Sequence, residues 1–224
     1  MIGFSGRGMP DDQAELAANS DRLRWNARYG GGFTASFEPH PLAVLALSLP
    51  VPEGPVLDLA CGPSGSALLA AASGREVVAV DASDVALDLL GREASRRGLG
   101  ALVSLVRADL RVWRPEPARH SIVLCTGYWD RELFGAAAAA VAPGGLLGWE
   151  AFTVRALNAR PRMPGQWCLG AAEPASLLPA GFDVLSQVDL PGNGAGEKRR
   201  LLARRVAAPG LAPPGSQPPR SGPM

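Results

Sequence analysis

At 224 residues, with 22 basic against 21 acidic side chains, a net charge of +1 and 47% hydrophobic residues, the chain has room for one well-cored domain and too little for two large ones. That balance excludes a global field for nucleic acid or an anionic membrane. Cys61, Cys125 and Cys168, odd in number and without a CxxC pair, exclude a disulfide framework and a structural zinc site, and no metal is expected.

The opening MIGFSGRGMPDD has neither the basic nor the long apolar region of a secretory signal, and no apolar run is long enough to span a bilayer, so a cytoplasmic location is expected. Abundant Ala, Gly, Pro and Arg, with Lys198 the only lysine, point to a GC-rich bacterial genome. Residues 1–9 are expected to be flexible. From Pro10, DDQAELAANSDRLRWNARYG carries acids in its first turn and Arg24 and Arg28 near its end, which suits the helix dipole and predicts a helix ended by Gly30 to Gly32. Trp25 and Tyr29, four apart, share one face, either packing on the domain or roofing a ligand pocket. A second helix is expected over Pro41–Leu49, completing an N-terminal helical cap over 10–50.

PVLDLACGPSGSALLAAA, from Pro55 to Ala72, is a buried strand, a glycine turn and a helix. Glu76–Asp81 is the next strand, followed by an amphipathic helix with Ser83 as its N-cap. Strands are expected at Leu102–Val106, Ser121–Thr126 and LLGWEAF, with the helix RELFGAAAAAVA closed by Pro143-Gly144-Gly145. His120 is expected to be exposed. Strict alternation of strand and helix implies a parallel, doubly wound α/β sheet in a single domain over 10–206. After it come a loop with a short helix near Glu173–Leu178 and a hairpin of GFDVLSQVDL and KRRLLARRVA, an antiparallel pair at the sheet edge. Arg199, Arg200, Arg204 and Arg205 are expected on the final edge strand, where charge blunts aggregation. Residues 207–224, rich in Pro, Gly and Ser, are expected to be a disordered tail.

Asp58, Asp81 and Asp109 fall at or near the ends of three successive strands, which a doubly wound sheet brings to one crevice. Asp81 stands 23 positions after Asp58, about where an acid accepts hydrogen bonds from ribose hydroxyls. The turn has Gly62 and Gly65 but Ala67 where a dinucleotide motif has its third glycine, and no Gly-Lys-Ser/Thr follows the strand. A ligand with ribose and adenine but no pyrophosphate suits this turn better.

DLACGPSG, AVDAS, RADL, TGYWD and APGGLLGWEAF, in this order and spacing, resemble the motifs of class I S-adenosylmethionine-dependent methyltransferases. WNARY and WEAFT resemble, within them, the bacterial tellurite-resistance-like branch. The resemblance spans roughly residues 22–206, and it implies a Rossmann-like seven-stranded sheet, mostly parallel with an antiparallel last strand. It further implies S-adenosyl-L-methionine as cofactor, with Asp58, Ala60 and Gly62 around its methionine part and Asp81 on both ribose hydroxyls. Ala82 would touch the adenine, Asp109 and the Leu110 backbone would read its edge, and Cys125 and Thr126 would line the far wall. Trp25 and Tyr29 would close over it. Ser64 stands where such motifs have a second glycine, so backbone approach to the methionine part is expected to differ.

Methyl transfer to an electron-rich nucleophile needs orientation and exclusion of water more than acid or base. Tyr128, Trp129 and Trp25 are candidates to face a sulfonium cation. His40 is a candidate base or a loop packing residue, Glu150 a substrate-facing carboxylate or an edge group with a water partner, and Cys125 a reactive or an inert buried thiol. An acceptor pocket is expected around Phe37, His40, Tyr128, Trp129, Glu150, Phe152, Met163 and Trp167, holding a small molecule, with no nucleic-acid or membrane partner and a monomer or homodimer. The competing reading is a non-catalytic cofactor-binding or partner protein that keeps the fold.

Overall fold

The computed structural model describes residues 18–192 and 194–207. Seven strands form one sheet: β1 Val56–Leu59, β2 Val77–Asp81, β3 Val103–Arg107, β4 His120–Thr126, β5 Val141–Phe152, β6 Phe182–Leu190 and β7 Lys198–Arg205. Among the described residues five α-helices accompany it: α1 Ser20–Gly30, α2 Pro41–Ser48, α3 Gly65–Ala72, α4 Asp84–Arg96 and α5 Arg131–Ala140. The strand order is β3-β2-β1-β4-β5-β7-β6, with β1 to β5 parallel and β7 antiparallel to both its neighbours. Winding outward from β1 reverses between β2 and β4, which leaves a crevice at the carboxyl end of β1.

The apolar runs make this sheet because strand residues alternate between faces. Leu57 and Leu59 of β1, with Val123 and Cys125 of β4, join the core under α5, where Phe134 and Trp129 each meet Trp149 edge to face. Val56, with Ile122 and Leu124, joins the core under α2 and α3. Side-chain caps set where the helices start: Ser64 Oγ accepts from the Ala67 N–H at 3.0 Å, Ser83 Oγ from Ala86 at 3.1 Å and Asp130 Oδ1 from Leu133 at 2.8 Å.

Gly65 opens α3 because nothing larger fits there. A Cβ at that position would lie 2.3 Å from the Phe37 carbonyl oxygen and 2.5 Å from the Glu38 backbone. The obstruction is main chain, which cannot swing aside. Gly65→Ala is therefore expected to cost about 1–3 kcal/mol of stability, read as a lower urea midpoint; an unchanged midpoint would show that the 37–38 segment is free to move.

Several expectations are corrected. The N-terminal helix starts at Ser20, with the Asn19 side chain capping it by accepting from the Arg22 N–H at 3.0 Å. Residues 1–17, which hold the expected beginning of that helix and the flexible start, lie outside the described residues, as does nearly all of the expected tail. The short helix near Glu173 is a 3₁₀ turn over Ala175–Leu177. β5 begins at Val141 with no intervening loop, so Pro143-Gly144-Gly145 lies inside the strand. His120 is the first residue of β4 and 4% exposed, not on the surface, with its Nδ1 unpartnered among the described residues. β7 is not the edge strand. It runs between β5 and β6, and its arginines are spent on neighbours: Arg204 donates to the Pro50 and Gly144 carbonyls and Arg205 to Val141. No helix among the described residues is long and apolar enough to cross a membrane.

Candidate functional site

A cavity of about 220 Å³ sits where the winding reverses. Its floor is the β1 turn, with Ala60 and Gly62 in the left-handed region at φ 50° and 57°. Asp81 and Ala82 line it from the end of β2, Asp109 and Leu110 from the turn after β3, and Thr126 and Tyr128 from the end of β4. Asp81 is held from behind: the Gly62 N–H donates to Oδ2 and the Ser83 N–H to Oδ1, each at 2.8 Å. Each oxygen thus keeps acceptor capacity toward the cavity, as a vicinal diol requires. Burial raises the Asp81 carboxyl above its usual range, opposed by the Ser83 and Gly62 N–H groups.

Trp25 and Tyr29 form the roof, their rings stacked with centroids 5.6 Å apart. A Cβ on Gly62 would stand 3.0 Å from the Tyr29 hydroxyl, so the glycine leaves the room beneath that ring. Burial, then the charge of Asp81, pushes the Tyr29 phenol up to about 12, which keeps it neutral. The roof helix α1 buries no residue completely and is moored by polar contacts instead. Asn19 Nδ2 donates to Asp109 at 2.7 Å, Arg22 and Asn26 donate to Asp84 at 2.9 and 2.6 Å, and the Ser83 hydroxyl donates to Asn26 at 2.6 Å. Asp109 also takes a bidentate hydrogen bond from Arg111, Nε donating to Oδ1 at 3.0 Å and Nη2 to Oδ2 at 2.7 Å. Burial pushes the Asp109 carboxyl up, but Arg111 and Asn19 outweigh it and hold the group below its usual range.

A second cavity, of about 1320 Å³, shares Asp21, Trp25, Gly127 and Tyr128 with the first. Trp129, Phe152, Met163 and Trp167 supply much of its apolar wall. The Arg24 guanidinium lies 5.3 Å from the Trp25 ring and 4.8 Å from that of Trp167, which ties α1 to the loop after β5. The Tyr128 carbonyl is fixed by the Trp149 indole N–H at 3.0 Å, so the residue at the junction of the cavities is anchored to the core.

Other sequence candidates stand elsewhere. Asp58, expected on the same rim as Asp81 and Asp109, lines neither cavity; it faces α3 and accepts from the Ser64 hydroxyl at 2.6 Å. Burial pushes it up to about 6, with Ser64 acting the other way. Ser64 is accordingly a helix cap tied to a buried acid rather than a wall of the cavity. Cys125 is fully buried in the core, and burial raises its thiol well above the ordinary range, as for an inert cysteine. Phe37 packs on the α2–α3 core. His40 caps α2, its Nδ1 accepting from the Leu42 N–H at 3.2 Å, while Nε2 meets Glu150 Oε1 at 3.3 Å. Glu150 also holds Lys198 at 3.0 Å and Arg200 at 2.7 Å. Neither His40 nor Glu150 lines either of these two cavities. Asp21, Asn19 and Arg111 were not singled out in the sequence; their roles come from contacts across long stretches of chain, which leave no periodic signal.

Residues 56–145 match the family model of a methyltransferase domain. No curated protein matches the chain. Among solved structures it is similar to one from work on the conversion of a disulfide bond into a thioacetal group during echinomycin biosynthesis, at 20% identity and TM-score 0.61 over 83% of this chain and 93% of that one. It is also similar to geranyl diphosphate C-methyltransferase from Streptomyces coelicolor A3(2), at 15% identity and TM-score 0.58, covering 84% of this chain and 99% of that one. A third likeness is to 1,6-didemethyltoxoflavin-N1-methyltransferase from Burkholderia thailandensis, at 19% identity and TM-score 0.59 over 89% and 91% of the two chains. The chain thus shares the fold of these proteins and matches a methyltransferase domain over residues 56–145; the two methyltransferases named here are solved with S-adenosylhomocysteine, the demethylated form of the cofactor S-adenosylmethionine. The smaller cavity fits the cofactor: it offers two carboxylate acceptors for a ribose, an aromatic roof, and a turn without a diphosphate cradle.

Proposed function

We propose that the protein transfers a methyl group to a small-molecule acceptor held in the larger cavity. The observation that carries this reading is the shared wall of Asp21, Trp25, Gly127 and Tyr128, which sets an acceptor space directly against the cradle built on Asp81. When bound, S-adenosylmethionine supplies an electrophilic methyl. Asp81 accepts from both ribose hydroxyls, Ala82 and Leu110 flank the adenine, and Ala60 and Gly62 shape the space for the methionine part. Asp109, engaged by Arg111 and Asn19, acts on the adenine side by holding α1 in place.

Tyr128 and Trp25 stand at the junction, where aromatic faces stabilise a sulfonium charge and exclude water. No histidine lines either cavity among the described residues. The protein's contribution is then orientation of an acceptor that brings its own nucleophilic atom. Two similar structures are methyltransferases of small molecules by name, which supports a small acceptor here. The likeness of WNARY and WEAFT to the tellurite-resistance-like branch belongs to this reading.

Label from methyl-tritiated S-adenosylmethionine is expected to enter the small-molecule fraction of a bacterial extract incubated with the protein. Cofactor binding with no transfer into that fraction would favour the non-catalytic reading instead.

A further inference from the structure

The larger cavity carries far more positive charge than the chain as a whole. Arg24, Arg28, Arg111, Arg131, Arg160 and Arg162 line it, against Asp21, Asp130 and Glu132, although the full sequence has a net charge of only +1. Part of this is neutralised within the fold. Arg24 pairs with Asp21 at 3.1 Å, Arg111 with Asp109 at 2.7 Å and Arg131 with Glu173 at 2.5 Å. Arg160 donates to the Ala195 carbonyl, an uncharged partner, with its guanidinium 4.6 Å from the Phe152 ring. Arg28 and Arg162 are exposed, and neither has a carboxylate within ion-pair distance among the described residues; Arg28 has the Trp25 face at 5.6 Å.

Three guanidinium groups that line this one cavity therefore lack a carboxylate partner among the described residues. A concave surface focuses such a field, and guanidinium forks suit carboxylate and phosphate oxygens. The same cavity is lined by the rings of Trp25, Phe152 and Trp167, whose apolar surface, beside the guanidinium groups stacked on them, suits a planar apolar body. On the strength of the methyltransferase reading, we propose that the acceptor is an anionic, ring-bearing small molecule whose carboxylate or phosphate is held by Arg28, Arg160 and Arg162. The anion sits at the Arg28–Arg162 side and the ring against the aromatic wall, with the nucleophilic atom toward Tyr128.

Calorimetry on the full chain saturated with S-adenosylhomocysteine tests this with three probes that share a ring system: 2-naphthoate, 2-naphthyl phosphate and the neutral methyl 2-naphthoate. At least one anion is expected to bind about tenfold or more tighter than the ester, the effect of one charge-assisted hydrogen bond. Whichever anion leads identifies the headgroup as carboxylate or phosphate. Arg28→Gln and Arg162→Gln are each expected to remove most of that preference, and Arg162→Gln to leave S-adenosylhomocysteine affinity unchanged. An ester that binds as tightly as both anions, binding by none of the three probes, or full retention of the preference in both variants would overturn the proposal. Those results leave the methyltransferase reading standing as long as S-adenosylhomocysteine binds in the first stage; absence of that binding would count against the reading itself.

Discussion

Asp81→Ala is expected to weaken S-adenosylhomocysteine binding by about 100-fold or more while the sheet stays folded. Two charge-assisted hydrogen bonds to ribose hydroxyls are lost, each contributing about 1.5–3 kcal/mol, and a loss of that size is at least tenfold per bond. The substitution also removes the acceptor for the Gly62 and Ser83 N–H groups, so the β1 turn loses the carboxylate that fixes its position. Asp81→Asn separates the two effects only in part, since its one amide oxygen accepts from one of the Gly62 and Ser83 N–H groups while its NH2 faces the other. It is expected to fold with a somewhat lower stability than the wild type and to bind with intermediate affinity. Unchanged affinity in Asp81→Ala, measured by calorimetry beside a normal circular dichroism spectrum, would remove Asp81 from the ribose.

Glu150→Ala is expected to have the largest effect on stability, about 3 kcal/mol, the lower end of the usual cost of removing one partner from a buried ion cluster. The Glu150 side chain is 3% exposed and joins β5 to Lys198 and Arg200 of β7 and to His40 ahead of α2. Lys198 and Arg200 keep 35% and 21% side-chain exposure, so water reaches them when the carboxylate is gone and softens the loss. Burial pushes the Glu150 carboxyl up, but His40, Arg200 and Lys198 outweigh it and hold it at about 2. The unfolded chain titrates near the ordinary glutamate value of ~4.3. This stabilisation is complete above the unfolded value and is lost as pH falls toward 2. Urea unfolding at several pH values is expected to show that acid slope in the wild type and a shallower one in Glu150→Gln. Equal slopes would contradict an ionised Glu150 at the centre of the cluster.

The strand-end acids show why part of the site was legible in the sequence and part was not. Asp81 could be placed because a buried apolar run that ends in an acid, at a fixed distance from a glycine turn, is a local pattern whose meaning the parallel sheet supplies. Asp58 has the same outward signature, but it lies one residue short of the end of β1. Strand alternation turns it toward α3, where Ser64 takes it. Asp81 is on the same face of the sheet, but Asp58 pairs with Ala79 and so stands two positions deeper, beneath α3, which counting acids does not register.

Ser64 looked like a defect in a glycine motif, yet it is the cap of α3, and Gly65 answers to the main chain of Phe37 and Glu38 instead. His40 was read as a candidate base or a loop packing residue, and Glu150 as a substrate-facing carboxylate or an edge group with a water partner. Their actual neighbours, Lys198 and Arg200, lie about 50 residues beyond Glu150 on the antiparallel strand. The mooring of α1 by Asn19, Arg22 and Asn26 was missed for a similar reason: each contact is between polar side chains 58 to 90 positions apart. Such contacts follow from the packed fold and not from helical period.

The direct test is a crystal structure of the protein with S-adenosylhomocysteine. The ribose hydroxyls should rest on the Asp81 oxygens beneath Tyr29, with the sulfur turned past Tyr128 toward the larger hollow. A nucleoside bound elsewhere, or one that leaves Asp81 untouched while its sulfur faces away from Tyr128, would contradict the arrangement on which this account is built.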